Sequence, residues 1–85
     1  MNIDVPAYGE RGLRFEWEPA YAIKCTVDNG SVYLEANRDG LVSLARHLLM
    51  LAQDNVPDRE HFHLDEFNSL EDGSAELVVI RKDTL

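Results

Sequence analysis

Two histidines and an aspartate alternate along one short stretch of the chain, at His61, His63 and Asp65. Residues two apart in an extended strand point to the same side, so these three side chains are expected to share one face. Two imidazoles and a carboxylate are the ligands of an open three-ligand zinc or transition-metal site. A row of solvent-facing polar residues gives the same pattern, and we favour that interpretation. We therefore predict no metal and no cofactor, and a small metal-binding protein stays as an alternative.

Neighbouring carboxylates, Glu16 with Glu18 and Glu71 with Asp72, are residue types that acid–base catalysis uses. Such catalysis needs a pocket that separates the pKa values of the two groups. A sheet-and-helix domain of 85 residues offers little depth for one. The chain also lacks a phosphate-binding glycine loop and a nucleophile motif. We therefore expect a protein that is not an enzyme.

Exposed aromatic residues are candidates of another kind, because a large rigid side chain can anchor a partner at low entropic cost. Tyr33 is expected to be exposed, since Val32 and Leu34 alternate with it and are predicted to face the core. Phe67 lies in an irregular stretch. It either anchors a partner or plugs the end of the core.

The chain has 16 acidic and 8 basic residues, for a formal net charge of −8. Free nucleic acid is therefore not expected as a partner, because phosphate binding needs clustered lysine and arginine. A basic protein suits this charge better, since complementary fields speed association. The same charge also serves simply to keep a small domain soluble. No apolar run reaches a membrane span and no signal peptide is recognisable, so we expect a cytoplasmic protein without membrane association.

Residues 38–53 are the one segment with sustained helical periodicity. Asn37 precedes this segment as a candidate N-cap. The predicted inner face carries apolar residues at three- and four-residue spacing, namely Leu41, Leu44, Ala45, Leu48, Leu51 and Ala52. The predicted outer face carries Ser43, Arg46, His47, Met50 and Gln53. Because an apolar face must be covered, we expect Leu48 to be buried against a sheet.

Segments before and after the helix alternate apolar and polar residues, which is typical of half-buried strands. The predicted strands are residues 12–18, 21–28, 31–36, 60–65 and 76–81. Asn29 and Gly30 predict a type I′ hairpin turn between two of these strands. Cys25, the single cysteine, is expected to be an inert thiol in the core.

The order βββαββ predicts one α+β domain over residues 1–85, with a single mainly antiparallel sheet of about five strands and the helix packed on one face. Residues 1–11 are either an edge strand or a tail, and residues 82–85 are a tail. We expect the last strand to be central, beside the first, and the histidine-bearing strand to lie at an edge.

The second face of this sheet is expected to be uncovered and to carry the function. The candidate partner-binding residues are Glu16, Glu18, Tyr33, Glu35, His61 and His63. Val78 and Ile80 are predicted on the same face, where an apolar pair would suit a second copy of the chain. A homodimer through the uncovered sheet face, acting as a scaffold or regulatory subunit, is therefore a further alternative.

Three segments of the chain also carry a resemblance. They are the helix start Gly40-Leu41 with its following leucines, the run His61-Phe62-His63-Leu64-Asp65, and the run Gly73-Ser74-Ala75-Glu76-Leu77. Together, over residues 31–81, they resemble a family of small bacterial immunity proteins of polymorphic toxin systems. The resemblance implies a non-enzymatic protein that binds and neutralises a cognate toxin. It assigns no catalytic residue and no role to the matched histidines.

Overall fold

The α+β class is confirmed by the computed structural model, which describes residues 1–85. The elements are β1 (Ile23–Asp28), β2 (Ser31–Ala36), α1 (Arg38–Leu51), β3 (His61–Leu64) and β4 (Leu77–Ile80). The single five-stranded sheet is not confirmed. The strands form two separate antiparallel sheets, β1 with β2 and β3 with β4.

The β1–β2 hairpin follows the local sequence closely. Asn29 and Gly30 have φ angles of 50° and 79°, the positive values that a type I′ turn requires at both central positions. This turn sets Asp28 opposite Ser31 and Cys25 opposite Leu34. The predicted hairpin turn is therefore confirmed.

The predicted strand over residues 12–18 is wrong, because this segment is irregular and pairs with no strand. Its polar backbone groups bond to the helix instead. The N–H of Glu18 donates to Ser43 Oγ at 2.8 Å, and Arg46 donates to the Glu16 carbonyl at 3.1 Å. The alternation of Leu13, Phe15 and Trp17 thus reflects packing onto other elements without a β ladder. Residues 1–11 form no strand either, apart from an isolated bridge between Gly9 and Gly12.

The expected central position of the last strand is also wrong, since β4 pairs only with β3. The residues just before β4 nevertheless lie along the free edge of β1. The N–H groups of Glu71 and Ala75 donate to the carbonyls of Ile23 and Cys25, at 2.9 and 2.7 Å. Ser74 Oγ accepts from the N–H of Cys25 at 3.2 Å. These bonds hold the two small sheets together.

Helix α1 begins at the predicted cap. Asn37 Oδ1 accepts from the N–H of Gly40 at 2.8 Å and from the N–H of Ala22 at 3.0 Å, so the cap also ties the helix to β1. Gly40 lies so close to this strand that an added Cβ would sit 2.5 Å from the Ala22 carbonyl oxygen. Glycine is therefore required here by space.

Leu44 and Leu51 are buried as predicted, but the predicted inner face of α1 is otherwise displaced by about one residue. The buried helix residues are Gly40, Ser43, Leu44, His47, Met50 and Leu51. Leu48 is 44% exposed, against the expectation that it is buried. The close approach of Gly40 to β1 explains this difference. Residues at three- and four-residue steps from Gly40, such as Ser43 and His47, lie on the same side of the helix and therefore face the core.

The core lies between α1, the two sheets and the irregular N-terminal segment. Its buried apolar residues are Ile23, Cys25, Leu44, Leu51, Val56, Phe62, Leu64 and Leu70. The prediction that Cys25 is a core thiol is confirmed. Leu77 and Val79 pack against this cluster from β4.

Candidate protein-binding surface

The outer face of the β3–β4 sheet carries the predicted histidines. His61 lies opposite Ile80 and His63 lies opposite Val78, and all four residues are exposed. The two imidazole rings are 5.1 Å apart between centroids. His63 Nδ1 is 3.3 Å from a carboxylate oxygen of Glu76, and His61 Nδ1 is 3.1 Å from the carbonyl oxygen of Arg59. The expected exposure of Val78 and Ile80 on this face is confirmed.

Asp65 does not join the two histidines. Its carboxylate Oδ1 accepts from the N–H groups of Phe67 and Asn68, at 2.8 and 3.1 Å, and so starts a turn. No group of three histidine, cysteine, aspartate or glutamate side chains in the structure is arranged to hold a metal ion. The three residues of the alternating row therefore do not converge on one point.

Residues 65–73 form a loop that is held by its own hydrogen bonds. The carbonyl of Asp65 accepts from the N–H groups of Ser69 and Leu70, and Leu70 is buried in the core. Asn68 donates from Nδ2 to the carbonyl of His63 at 3.2 Å, which ties the loop to β3. Glu66 accepts from the N–H of Gly73 at 2.7 Å and closes the far end. These bonds fix the loop on the rigid part of the domain.

Phe67 stands at the outer end of this loop with 91% of its surface exposed. The interpretation of Phe67 as a plug for the core is therefore wrong. Glu66 and Glu71 line the same shallow depression as this ring. Within residues 65–76 the chain carries five acidic residues and no lysine or arginine. An exposed aromatic ring in an acidic surrounding is thus the most distinctive feature of the surface.

A cleft of about 480 Å³ lies on the other side of the loop. Phe15 and Trp17 from the N-terminal segment form one wall, and β3 with the loop residue Ser69 forms the other. Glu60 stands at the rim, where its carboxylate accepts from the hydroxyl of Tyr8 at 2.9 Å. This hydrogen bond lowers the pKa of Glu60 and raises the pKa of Tyr8. Asn68 and Ser69 line both this cleft and the depression beside Phe67, so the two are neighbours on the surface.

His47 lies buried behind the cleft wall, although the sequence predicts it on the outer face of the helix. Its ring packs edge-on against Phe15, Trp17 and Phe62. Neither ring nitrogen has a hydrogen-bond partner. Burial is the main reason that the pKa of His47 falls from 6.5 to about 4; the Glu16 backbone opposes this shift, and the charge of Arg46 adds to it as the smallest of the three effects. The imidazole is therefore neutral at pH 7 and serves as part of the aromatic core.

The remaining predicted site residues lie on separate elements. Glu16 and Glu18 belong to the irregular segment, and Glu18 forms an ion pair with Arg46 at 3.2 Å. Tyr33 and Glu35 lie on β2, where both are exposed. The structure brings His61 and His63 to the cleft but does not gather all six residues on one sheet face, because that sheet does not exist.

Phe67 was not among the candidate partner-binding residues predicted from the sequence, yet the sequence around it indicates a turn that could expose it. Asp65 and Asn68 are residue types whose side chains accept from nearby backbone N–H groups in turns. An aromatic residue inside such a turn is directed away from the core when a neighbour such as Leu70 is the one that enters it. The pattern Asp-x-Phe-Asn-x-Leu thus predicts a turn with one apolar residue buried and one exposed. Residue types alone do not say whether Phe67 or Leu70 is the buried one.

The fold and this surface define a small α+β domain with an exposed aromatic loop in an acidic setting. None of its helices is both long and apolar enough to cross a membrane. Residues 31–82, more than half of the chain, match the sequence model of the family Immunity protein 32. The chain belongs to this family, which is one of immunity proteins of toxin systems. No curated protein and no solved structure matches the chain.

Proposed function

We propose that this protein neutralises a cognate bacterial toxin in the cytoplasm by binding to it, without catalysing a reaction. Membership in the Immunity protein 32 family supports a toxin as the partner. Phe67 is 91% exposed on a hydrogen-bonded loop, and this observation supports that loop as the toxin-binding surface. A large apolar side chain held in water gains free energy when a partner covers it.

Phe67 is suited to anchor the toxin. Aromatic residues dominate binding hot spots when they enter a partner pocket and lose their water. The loop around Phe67 is fixed by Asp65, Asn68 and Glu66, so little conformational entropy is lost on binding. The anchor is thus in place before the partner arrives.

The charge around the loop selects a basic toxin surface. Glu71 lines the same depression as Phe67, and both Glu71 and the next residue, Asp72, are exposed. Carboxylates in this position attract lysine and arginine side chains and speed the encounter. A toxin that acts on a polyanion such as nucleic acid needs a basic active surface. Covering that surface would block the substrate.

His61 and His63 extend this proposed contact region across the cleft. They line the same depression as Ser69 and are exposed. Glu16 and Glu18 alternate along the N-terminal segment with Phe15 and Trp17, which line the cleft, but do not line it themselves. Tyr33 and Glu35 lie on the separate β1–β2 hairpin and are not part of this proposed contact region.

A protection experiment tests the function itself. The gene beside the one for this chain is expressed in a host cell as the candidate toxin, with and without the protein. We expect growth arrest without the protein and normal growth with it. A Phe67→Ala variant should protect poorly at equal protein level, whereas Leu49→Ala, at an exposed helix position, should protect fully. Equal protection by the two variants would place the contact elsewhere.

Kinetics test the role of charge. A Glu71→Gln, Asp72→Asn double variant should associate more slowly with the toxin and show a weaker dependence on salt. The matched control is Glu10→Gln with Asp54→Asn. It also removes two negative charges from exposed positions, but both lie outside the loop of residues 65–73. If both double variants slow association equally, the net charge acts as a whole and the loop has no special part.

A further inference from the structure

Strand β2 has one paired edge and one free edge. In a two-residue hairpin the pair beside the turn, Asp28 and Ser31, exchanges backbone hydrogen bonds, and every second pair repeats this. Tyr33 and Glu35 therefore bond to β1, and the backbone groups of Val32 and Leu34 point away from it. No backbone or side-chain group outside β1 bonds to β2 in the structure.

The apolar side chains of β2 are exposed to solvent, as its unpaired backbone edge is. Val32 is 65% exposed and Leu34 is 39% exposed, although both lie on the face that carries buried Cys25 on the adjacent strand. Val27, opposite Val32, is 61% exposed. The hairpin face that is buried at Cys25 is thus exposed to solvent near the turn. The expectation that Val32 and Leu34 are covered by the core is wrong.

Apart from the charge of Glu35, this edge lacks the usual protections. Residues 31–36, Ser-Val-Tyr-Leu-Glu-Ala, include no proline, glycine or lysine, and they form no bulge in their register with β1. A long, regular and apolar edge strand is a ready template for another strand. Addition of a strand satisfies the free N–H and C=O groups and covers alternate side chains at the same time.

Charge decides between the two kinds of partner. Residues 23–36 carry one lysine and two acidic residues, a net charge of −1 out of the −8 of the chain. Two copies of the chain therefore meet only weak electrostatic repulsion at this hairpin. A basic toxin would be drawn to residues 65–76, where five acidic residues lie without a base.

We propose that β2 pairs antiparallel with β2 of a second copy of this chain about a two-fold axis, which gives a four-stranded sheet. The side-chain alternation permits only registers that keep Val32 and Leu34 on one face. The registers of this kind that lie nearest the middle of β2 cross at Tyr33 or at Leu34. Crossing at Tyr33 sets Val32 opposite Leu34 of the other copy, and crossing at Leu34 sets Val32 opposite Ala36. Glu35 then lies opposite Ser31 or Tyr33, so no charge faces its like.

Either register uses the backbone groups that are free. Val32 and Leu34 are the residues that must exchange hydrogen bonds in the new pair, and they are the residues whose groups point away from β1. The apolar side chains that the core leaves open at the hairpin end would meet across the axis. Symmetric pairing of this kind closes after two copies and leaves no further edge of β2.

Measurement of mass in solution tests this proposal. By light scattering at about 100 µM, we expect twice the chain mass of 9.7 kDa. Leu34→Lys should return the mass to that of one chain. Ile80→Lys introduces the same charge at an exposed residue of β4 and should leave the dimer intact. Equal melting temperatures of the two variants exclude unfolding as the cause.

A cross-link identifies the register. Tyr33→Cys should form a disulfide-linked dimer on oxidation if the strands cross at Tyr33, and Leu34→Cys if they cross at Leu34. Lys24→Cys, on β1, should not. A wild-type protein that stays monomeric overturns the proposal, as does a dimer that Ile80→Lys alone dissociates. If the wild type is monomeric and Leu34→Lys loses toxin binding, the edge serves the toxin and the second copy is excluded.

Discussion

The ring of His47 stands edge-on to the indole of Trp17, with centroids 4.4 Å apart and planes at 82°. This relationship joins the helix to an N-terminal segment that has no regular secondary structure. Phe15, the next aromatic along that segment, packs on the same imidazole at 5.0 Å. The helix therefore uses a histidine where an apolar residue is usual, and its two ring nitrogens have no partner.

The stability of the domain should fall in mild acid because of this histidine. The folded pKa of about 4 lies below the ordinary value of 6.5, so the unfolded state binds the proton more readily. Stability is thus fully present above pH 6.5 and is lost as the pH falls toward 4, by about 3 kcal/mol. Urea unfolding of the wild type and of His47→Leu at pH 7 and pH 4.5 measures this loss.

The His47→Leu variant should lose much less stability between these pH values. His63→Leu, at an exposed position, is the control and should behave as the wild type. Acidification also removes the stabilising bond between Tyr8 and Glu60, whose pKa is lowered, so some loss below pH 4.5 should remain in all variants. An unchanged pH dependence in His47→Leu would contradict the assignment of the cause to His47.

Gly40 should not accept a methyl group, even though alanine favours a helix by about 1 kcal/mol over glycine. A Cβ at this position meets the Ala22 carbonyl oxygen at 2.5 Å and Ile23 Cγ1 at 2.9 Å, so backbone must shift. We expect Gly40→Ala to lower the free energy of unfolding by roughly 1–3 kcal/mol, as in other overpacked sites. Gly9→Ala, whose Cβ would meet no atom within 4 Å, is the control and should be close to neutral. A stabilised Gly40→Ala protein would show that the helix does not approach β1 this closely.

Two leucine substitutions one turn apart test which face of α1 is buried. Leu44 is buried and Leu48, one turn later, is 44% exposed. Leu44→Asp should unfold the domain, because it places an unpaired charge in the core. Leu48→Asp should fold, with a modest loss of stability. Circular dichroism and a thermal melt of both variants decide the matter, and the reverse order of stability would restore the helix face that the sequence predicts.

The predictions that succeeded depend on short-range signals. The Asn29-Gly30 turn and the Asn37 cap are set by residues within three positions of each other, and both are found as predicted. The alternation at His61 and His63 likewise gives the right face for these residues. Local chemistry is enough where the partner groups are local.

The predictions that failed depend on distant partners. The alternation of Phe15 and Trp17 indicates which side chains are covered, but not that the backbone bonds to the helix at Ser43 in place of a strand. The helix carries apolar residues over more than half of its circumference, and Ser43 and His47 from its polar side are buried, so periodicity alone did not give its buried face. Gly40 is the one residue that indicates it, through the close approach that it permits. The exposure of Phe67 depends on which neighbour enters the core, and Leu70 does.

The central claim is that this immunity protein holds its toxin through Phe67, and an affinity measurement tests it most directly. Titration of the toxin with wild type, Phe67→Ala and the Leu49→Ala control by calorimetry gives the three dissociation constants. We expect Phe67→Ala to bind roughly 30-fold or more weakly, which corresponds to about 2 kcal/mol, and Leu49→Ala to bind as the wild type does. A Phe67→Ala protein that binds with wild-type affinity would contradict the claim, as would a wild-type protein that does not bind at about micromolar concentration.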